Sequence, residues 1–372
     1  MQELQSLIMN WLFIFFPLAF ILDHFDTGPL WVLVASTLAI IPMAQTLEKA
    51  TTSISHILGP TLGGLLSATM SNAPELIIGI SALRNGLVEM LKYSIVGAII
   101  GTLLFGLGLT IFSGNFQRRP SPFEPRMVTM NMGLLTVTAL GLTIPAVFNM
   151  NAASDHAIST HICILMLILY VASVYYTLNQ DNPPIDKIGV SSALGQNPAL
   201  PALMHLDDGS SIGTEKHWGM SKALFILGAI AIALALTSDL LTDSIQPAAD
   251  RLNLTPMFAG MFMLSMVGNI PQFLNSVAFA RNDQMTLALS VNLSSVTQLS
   301  LLVAPILVLG GIAMGQSMDL VFTHYSLVAI LISVLVARYL LADNRTTWFE
   351  GFMLVIMYLM LAVGFFYLPP VH

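Results

Sequence analysis

Two short stretches carry the residues that could do chemistry inside an otherwise apolar sequence. Residues 71–76 read Ser-Asn-Ala-Pro-Glu-Leu, and residues 268–273 read Gly-Asn-Ile-Pro-Gln-Phe. A proline within a helix lacks an N–H and crowds the carbonyl four residues back. Pro74 therefore releases the carbonyl of Met70, and Pro271 that of Val267. Freed carbonyls at membrane depth need a partner, and a cation is a natural one. Side-chain oxygens stand around them: Thr69, Ser71, Asn72 and Glu75 in the first stretch, Asn269 and Gln272 in the second. The run Leu-Ser-Ser-Val-Thr-Gln-Leu-Ser at 293–300 adds Ser294, Ser295, Thr297 and Gln298. Hard oxygen donors without Cys or His suit an alkali or alkaline-earth cation rather than zinc or copper.

Glu75 stands apart from the other acids. Of the 20 acidic residues, the rest are expected in loops or within a turn or two of a span end. Glu75 alone is expected near a span centre, where a carboxylate is costly unless paired or protonated. Burial disfavours its charged form and a bound cation favours it. Such a group holds either a proton or a metal ion, which is the physical basis of cation/proton antiport. The alternative is a permanently protonated structural Glu bonded to a neighbouring carbonyl.

The elements that position these residues follow from composition. Of 372 residues, 55% are apolar and 9% charged, against about 25% charged in an ordinary soluble domain. Mean hydropathy is +0.79. A chain of this kind needs lipid around it. The net charge of −7 is spread over loops without a basic tract, which argues against a nucleic-acid partner. Cys163 is the single cysteine and forms no internal disulfide. The opening Met-Gln-Glu-Leu-Gln-Ser-Leu-Ile has no positive charge before its apolar run, against a cleavable signal peptide. No nucleophile–base pair or metal triad marks an enzyme, and no cofactor is implied.

Apolar runs punctuated by charge, Gly and Pro predict an all-α integral membrane protein of about 11 transmembrane helices. They fall near 8–23, 29–45, 60–83, 90–113, 127–148, 157–178, 219–241, 255–280, 285–312, 320–342 and 348–369. Residues 1–28 hold an N-terminal helix, 29–178 one five-helix unit, 179–217 a polar cytoplasmic linker, and 218–372 a second unit. Sliding the chain by 197 positions lays Asn72 on Asn269, Pro74 on Pro271, Glu75 on Gln272, Arg84 on Arg281 and Asn85 on Asn282. An odd number of spans per unit makes the second repeat inverted, with the substrate site at the midplane. Counting Lys and Arg beside the spans puts ten on the N-terminal side and three (Arg84, Lys92, Arg251) on the other. The N-terminus is thus expected in the cytoplasm and the C-terminus opposite, in a bacterial inner or organellar membrane. Arg84 and Arg281 are expected at the headgroups, and Asp239 and Asp243 as caps at the end of the seventh span.

The stretches Gly-Pro-Thr-Leu-Gly-Gly-Leu-Leu-Ser-Ala-Thr-Met-Ser-Asn-Ala-Pro-Glu-Leu-Ile (59–77) and Gly-Asn-Ile-Pro-Gln-Phe with its downstream Ser-Ser-Val-Thr-Gln resemble the two repeats of the calcium/cation–proton exchanger family, within the cation/calcium antiporter superfamily. The resemblance covers essentially the whole chain. It implies one extra helix plus two inverted five-helix repeats with broken helices at the midplane, and two central acids exchanging a cation for protons. Matched by position, it implies Glu75, Asn72, Asn269, Ser295 and Gln298 as site residues. The second acid is missing: where the family has Glu-His, this chain has Gln272-Phe273. Ser71, Ala98 and Thr102 also depart from the pattern.

The missing charge matters. A unit charge pair 4 Å apart at an effective dielectric near 20 is worth about 4 kcal/mol, and a divalent ion doubles it to about 8. With one carboxylate, bound Ca²⁺ leaves the site at about +1 and a monovalent ion leaves it near neutral. Three readings stay open. The chain exchanges Ca²⁺ for protons with altered affinity or stoichiometry, exchanges Na⁺ or K⁺ for protons, or is a degenerate non-transporting membrane protein. An oligomer is compatible with each.

Overall fold

The computed structural model describes residues 11–148, 152–178, 218–316 and 318–368. The expected linker at 179–217 and the first residues of the expected first span lie outside the described residues. Among the described residues the chain is almost entirely helical: α1 (Phe15–His24), α2 (Pro29–Met70), α3 (Ala73–Arg84), α4 (Val88–Asn115), α5 (Pro125–Val147) and α6 (Ala152–Leu178) form the first part. The second part is α7 (Met220–Arg251), α8 (Pro256–Arg281), α9 (Met285–Ala313), α10 (His324–Leu340) and α11 (Trp348–Phe366). Helix starts follow local chemistry. Thr255 and Thr323 accept from backbone N–H groups at the starts of α8 and α10, and Thr347 with Glu350 closes a capping box on α11. One two-residue ladder, β1 (Ser121–Pro122) against β2 (Arg345–Thr346), ties the α4–α5 loop to the α10–α11 loop.

Helix α2 bends at Gly59, whose φ of 81° and ψ of 178° only glycine adopts without strain. Its second arm and α3 together make the third crossing, interrupted at Ser71-Asn72. Two helices are longer than composition suggests. The second span does not stop at residue 45 but runs to Gly59, and the seventh runs past residue 241 to Arg251. Both extensions carry Ser and Thr, and most of these hydroxyls bond to the helix itself, with Ser55 Oγ buried and unpartnered. Thr46 donates to the Pro42 carbonyl, Thr51 to Leu47, Thr52 to Glu48, Ser53 to Lys49 and Thr242 to Ser238. Back-bonding of this kind lets a polar stretch stay helical at membrane depth.

The repeat is visible in local geometry. A π-helical turn at Gly101–Gly106 in α4 recurs at Leu299–Val303 in α9. The positive φ of Gly86 recurs at Asp283. Packing repeats as well. Helices α2 and α7 lie against each other, as do α5 and α10, and the α4–α11 contact is mirrored by α9–α6. Two inverted five-helix repeats thus interlock, with α1 packed on α2. Outward faces carry Ile232, Phe225, Val171 and Leu335 in the open, apolar surface that lipid covers.

Candidate cation site

The site forms where the interrupted third crossing meets α8 and α9. Asn72 leaves helical geometry (φ −106°, ψ 21°), and α3 restarts at Ala73 with Pro74 in its first turn. Proline suits that place, because the N–H it lacks is unpaired at a helix start in any case. Glu75 also falls in this first turn, where the positive end of the helix dipole favours a carboxylate. Its side chain lies against Gly268 of α8. A Cβ added there would stand 3.0 Å from the Glu75 Cγ and 3.2 Å from Oε1. One carboxylate oxygen, Oε2, is buried without a hydrogen-bond partner.

Behind Glu75 a side-chain network joins the repeats. Gln298 Oε1 accepts from Asn72 Nδ2 at 2.6 Å and from Ser71 Oγ at 2.7 Å. Ser295 Oγ lies 3.1 Å from Asn72 Oδ1 and 2.6 Å from Gln272 Oε1, so one hydroxyl touches both hexamers. The Gln272 amide completes its bonding by donating to the Val291 carbonyl at 3.4 Å. In the second repeat the helix does not break at its proline. Helix α8 carries Pro271 in its interior, with a π-helical stretch at Ala259–Leu264 upstream, a usual way to absorb backbone strain.

A cavity opens beside this network. Glu75, Met70, Gln272 and Ser295 line it, with Ser71 and Ser294. Asn72 and Gln298 are buried one layer behind the wall. Asn269 turns elsewhere, donating to the Ser265 carbonyl at 2.7 Å and accepting from Thr102 at 3.4 Å. Val267 is buried in an apolar cluster, and Gly268 rather than Val267 reaches the cavity wall. Thr297 bonds back to Leu293. Of the family departures, Phe273 packs against Phe105 and Gly106, and Ala98 lines a small recess on the other side of Glu75.

Two cavity residues were not expected. Glu48 lies inside the α2 span and not beyond its end, and Asn275 Nδ2 donates to its Oε2 at 3.0 Å. The signal was present: Glu48 is an acid flanked by Ser and Thr that can bond their own helix. Asp239 and Asp243 also differ from expectation. Helix α7 continues well beyond them, so they do not cap its end but grip α3 and the turn after it. Asp239 accepts from Ser81 at 2.5 Å and stands 3.6 Å from Arg84, while Asn85 donates to Asp243 at 2.7 Å and to Thr242 at 2.8 Å. Arg84, at the end of α3 and largely exposed, therefore also pairs across helices. Lys92 is buried and pairs with Asp319 at 2.8 Å.

The family model described as sodium/calcium exchanger protein matches residues 28–179 and 222–367. The chain belongs to this family. It is 30% identical over 374 residues to a Ca²⁺/H⁺ antiporter of Synechocystis sp., covering 98% of both chains. It is 32% identical over 366 residues to vacuolar cation/proton exchanger 3 of Oryza sativa subsp. japonica, covering 96% of this chain and 85% of the relative. The solved structure of native YfkE superposes with a TM-score of 0.79 at 29% identity, covering 96% of this chain and all of that one. Members of the family are integral membrane transporters and not enzymes. The family match and the superposition support the fold; the cargo is a matter for the site's chemistry.

Proposed function

We propose that the chain is a proton-coupled cation antiporter exchanging Ca²⁺ for protons at Glu75, with affinity or stoichiometry altered because position 272 is Gln. The observation that carries this is the buried, partnerless Oε2 of Glu75 beside a cavity. A carboxylate oxygen held so is costly until a proton or a cation occupies it. Proton and cation compete for one group, and alternating occupancy couples their movements. Ser71, Ser294 and Ser295 offer neutral oxygens near it, and Asn72 and Gln298 hold that wall in place. A relative named as a Ca²⁺/H⁺ antiporter supports this pair of cargoes, and one named as a cation/proton exchanger supports the coupling of a cation to protons.

With the N-terminus in the cytoplasm, as the Lys and Arg distribution favours, the parts of α2 and α8 that line the cavity lie toward the cytoplasm, and the Asp239–Arg84 pair lies toward the other side. The membrane is a bacterial inner or an organellar one, with residues 179–217 linking the repeats on the cytoplasmic side. A second reading, exchange of Na⁺ or K⁺ for protons, is favoured by the neutrality of Gln272, whose amide is taken up by Ser295 and Val291.

The test uses the purified chain in proteoliposomes containing a pH-sensitive dye, challenged with Ca²⁺, Na⁺ and K⁺ in turn. Ca²⁺-evoked proton flux that disappears in Glu75→Gln is expected. A robust flux in that variant sinks the assignment, response to a monovalent ion alone selects the second reading, and silence from the wild type points to a non-transporting protein.

A further inference from the structure

The charge absent from position 272 returns from another helix. We infer that Glu48 is the second carboxylate of the cation site, and that the site is thereby matched to a divalent ion; this rests on the reading of Glu75 as the ion-binding acid.

The geometry is specific. Gln272 and Asn275 are three residues apart on α8, so they share a face, one turn from each other. Both line the cavity, with Gly268 and Pro271 from the same helix. Glu48 approaches this face from α2 and is held by the Asn275 amide at 3.0 Å through Oε2. The acid therefore stands one helical turn from the position where a Glu at 272 would have begun. Glu48 and Glu75 line one cavity from different helices, together with Gln272 and Ser295.

The charge balance favours a ligand role over a clamp. A helix clamp needs an acceptor for Asn275, and a neutral amide would serve. An anion inside a membrane span is costly, and two facing one cavity repel each other as well. A divalent cation between them removes both costs, and a monovalent ion removes only part. Ser and Thr hydroxyls, with no Cys or His in the lining, add to a hard-ion environment. Gln272 is then no loss of the divalent site but a relocation of half its charge.

The variant Glu48→Gln isolates the claim, because a Gln carbonyl still accepts from Asn275 and only the charge goes. The full chain is purified in detergent, its folding checked by size exclusion and thermal unfolding. Equilibrium binding of radioactive Ca²⁺ and Ca²⁺-evoked proton flux in proteoliposomes are then measured. Glu48→Gln is expected to weaken Ca²⁺ binding at least about 30-fold, with half-saturation of flux moving in parallel. The double variant Glu48→Gln/Gln272→Glu is expected to recover much of the loss. An unchanged Ca²⁺ affinity in a folded Glu48→Gln protein overturns the inference while leaving Glu75 in its role. A wild type that neither binds nor responds to Ca²⁺ removes the underlying reading and this inference together.

Discussion

The two Asn-x-Pro stretches differ less in sequence than in how their polar atoms are satisfied. At residues 71–76 the helix stops, restarts, and leaves one oxygen of Glu75 buried and unpartnered. At 268–273 the helix continues through Pro271, and Gln272 both accepts from Ser295 and donates to the Val291 carbonyl. An amide can do both, while a carboxylate can only accept. One repeat thus keeps a buried carboxylate oxygen without a hydrogen-bond partner, and in the other the matching group is bonded into the cavity wall. Inverted repeats supply two copies of a backbone scaffold, but each copy is free to spend its polar atoms differently.

That contrast can be broken most severely at Glu75. Glu75→Gln removes the orphan charge, about 4 kcal/mol of attraction per unit of ion charge, and cation-evoked proton flux should fall about 100-fold or more in proteoliposomes. Next comes Gly268→Ala, which drives a Cβ against Glu75. The Glu75 side chain must give by a few tenths of an ångström, so flux should fall as the carboxylate is displaced, while unfolding stability should change by no more than about 1 kcal/mol because Ala is the better helix former. Gln272→Glu makes the two stretches alike in charge but sets an oxygen opposite the Val291 carbonyl. The ion-free protein should lose about 1–3 kcal/mol, and millimolar Ca²⁺ should restore part of it in thermal unfolding. A destabilisation that Ca²⁺ leaves untouched would mean that position 272 does not face the ion. The smallest effect is expected from Thr102→Val, which removes the long bond to Asn269. Its cost should be about 0.5–1.5 kcal/mol of stability with Ca²⁺ affinity unchanged, since Asn269 faces away from the cavity.

Part of the candidate site was legible in the residues: Met70, Glu75, Gln272 and Ser295 do line one cavity. Glu75 is marked by its type and setting, an acid beside a helix-breaking proline in an apolar run. Ser295 and Gln298 are marked by their place in a polar run on an otherwise apolar span, and both reach the first hexamer. Asn72 and Asn269 looked equivalent and are not. One bridges to Gln298, and the other bonds its own helix and Thr102. The release of two carbonyls by two prolines assumed equal breaks, but only the first crossing is interrupted at its hexamer. A π-helical stretch upstream of Pro271 accompanies the unbroken helix in the second.

Glu48 and the α7 aspartates show why the remainder was hidden. Spans read from hydropathy end where polar residues begin, yet Thr46, Thr51, Thr52 and Ser53 bond their own helix and carry α2 onward. The same lengthening of α7 moves Asp239 and Asp243 from a helix end to an interhelical grip on α3 and its following turn.

The sequence alone determined the membrane class, the helical repeat that relates the two halves, and the presence of an acid, Glu75, beside a proline in an apolar run. The class follows from composition, the repeat from the recurrence of one pattern 197 positions on, and the setting of Glu75 from its neighbours in sequence. Only the tertiary structure decided which polar groups meet. The crossing of α2 over α8 sets Glu48 against Asn275, across 227 positions of chain. No local pattern encodes a contact between helices so distant, because it follows from how their faces pack.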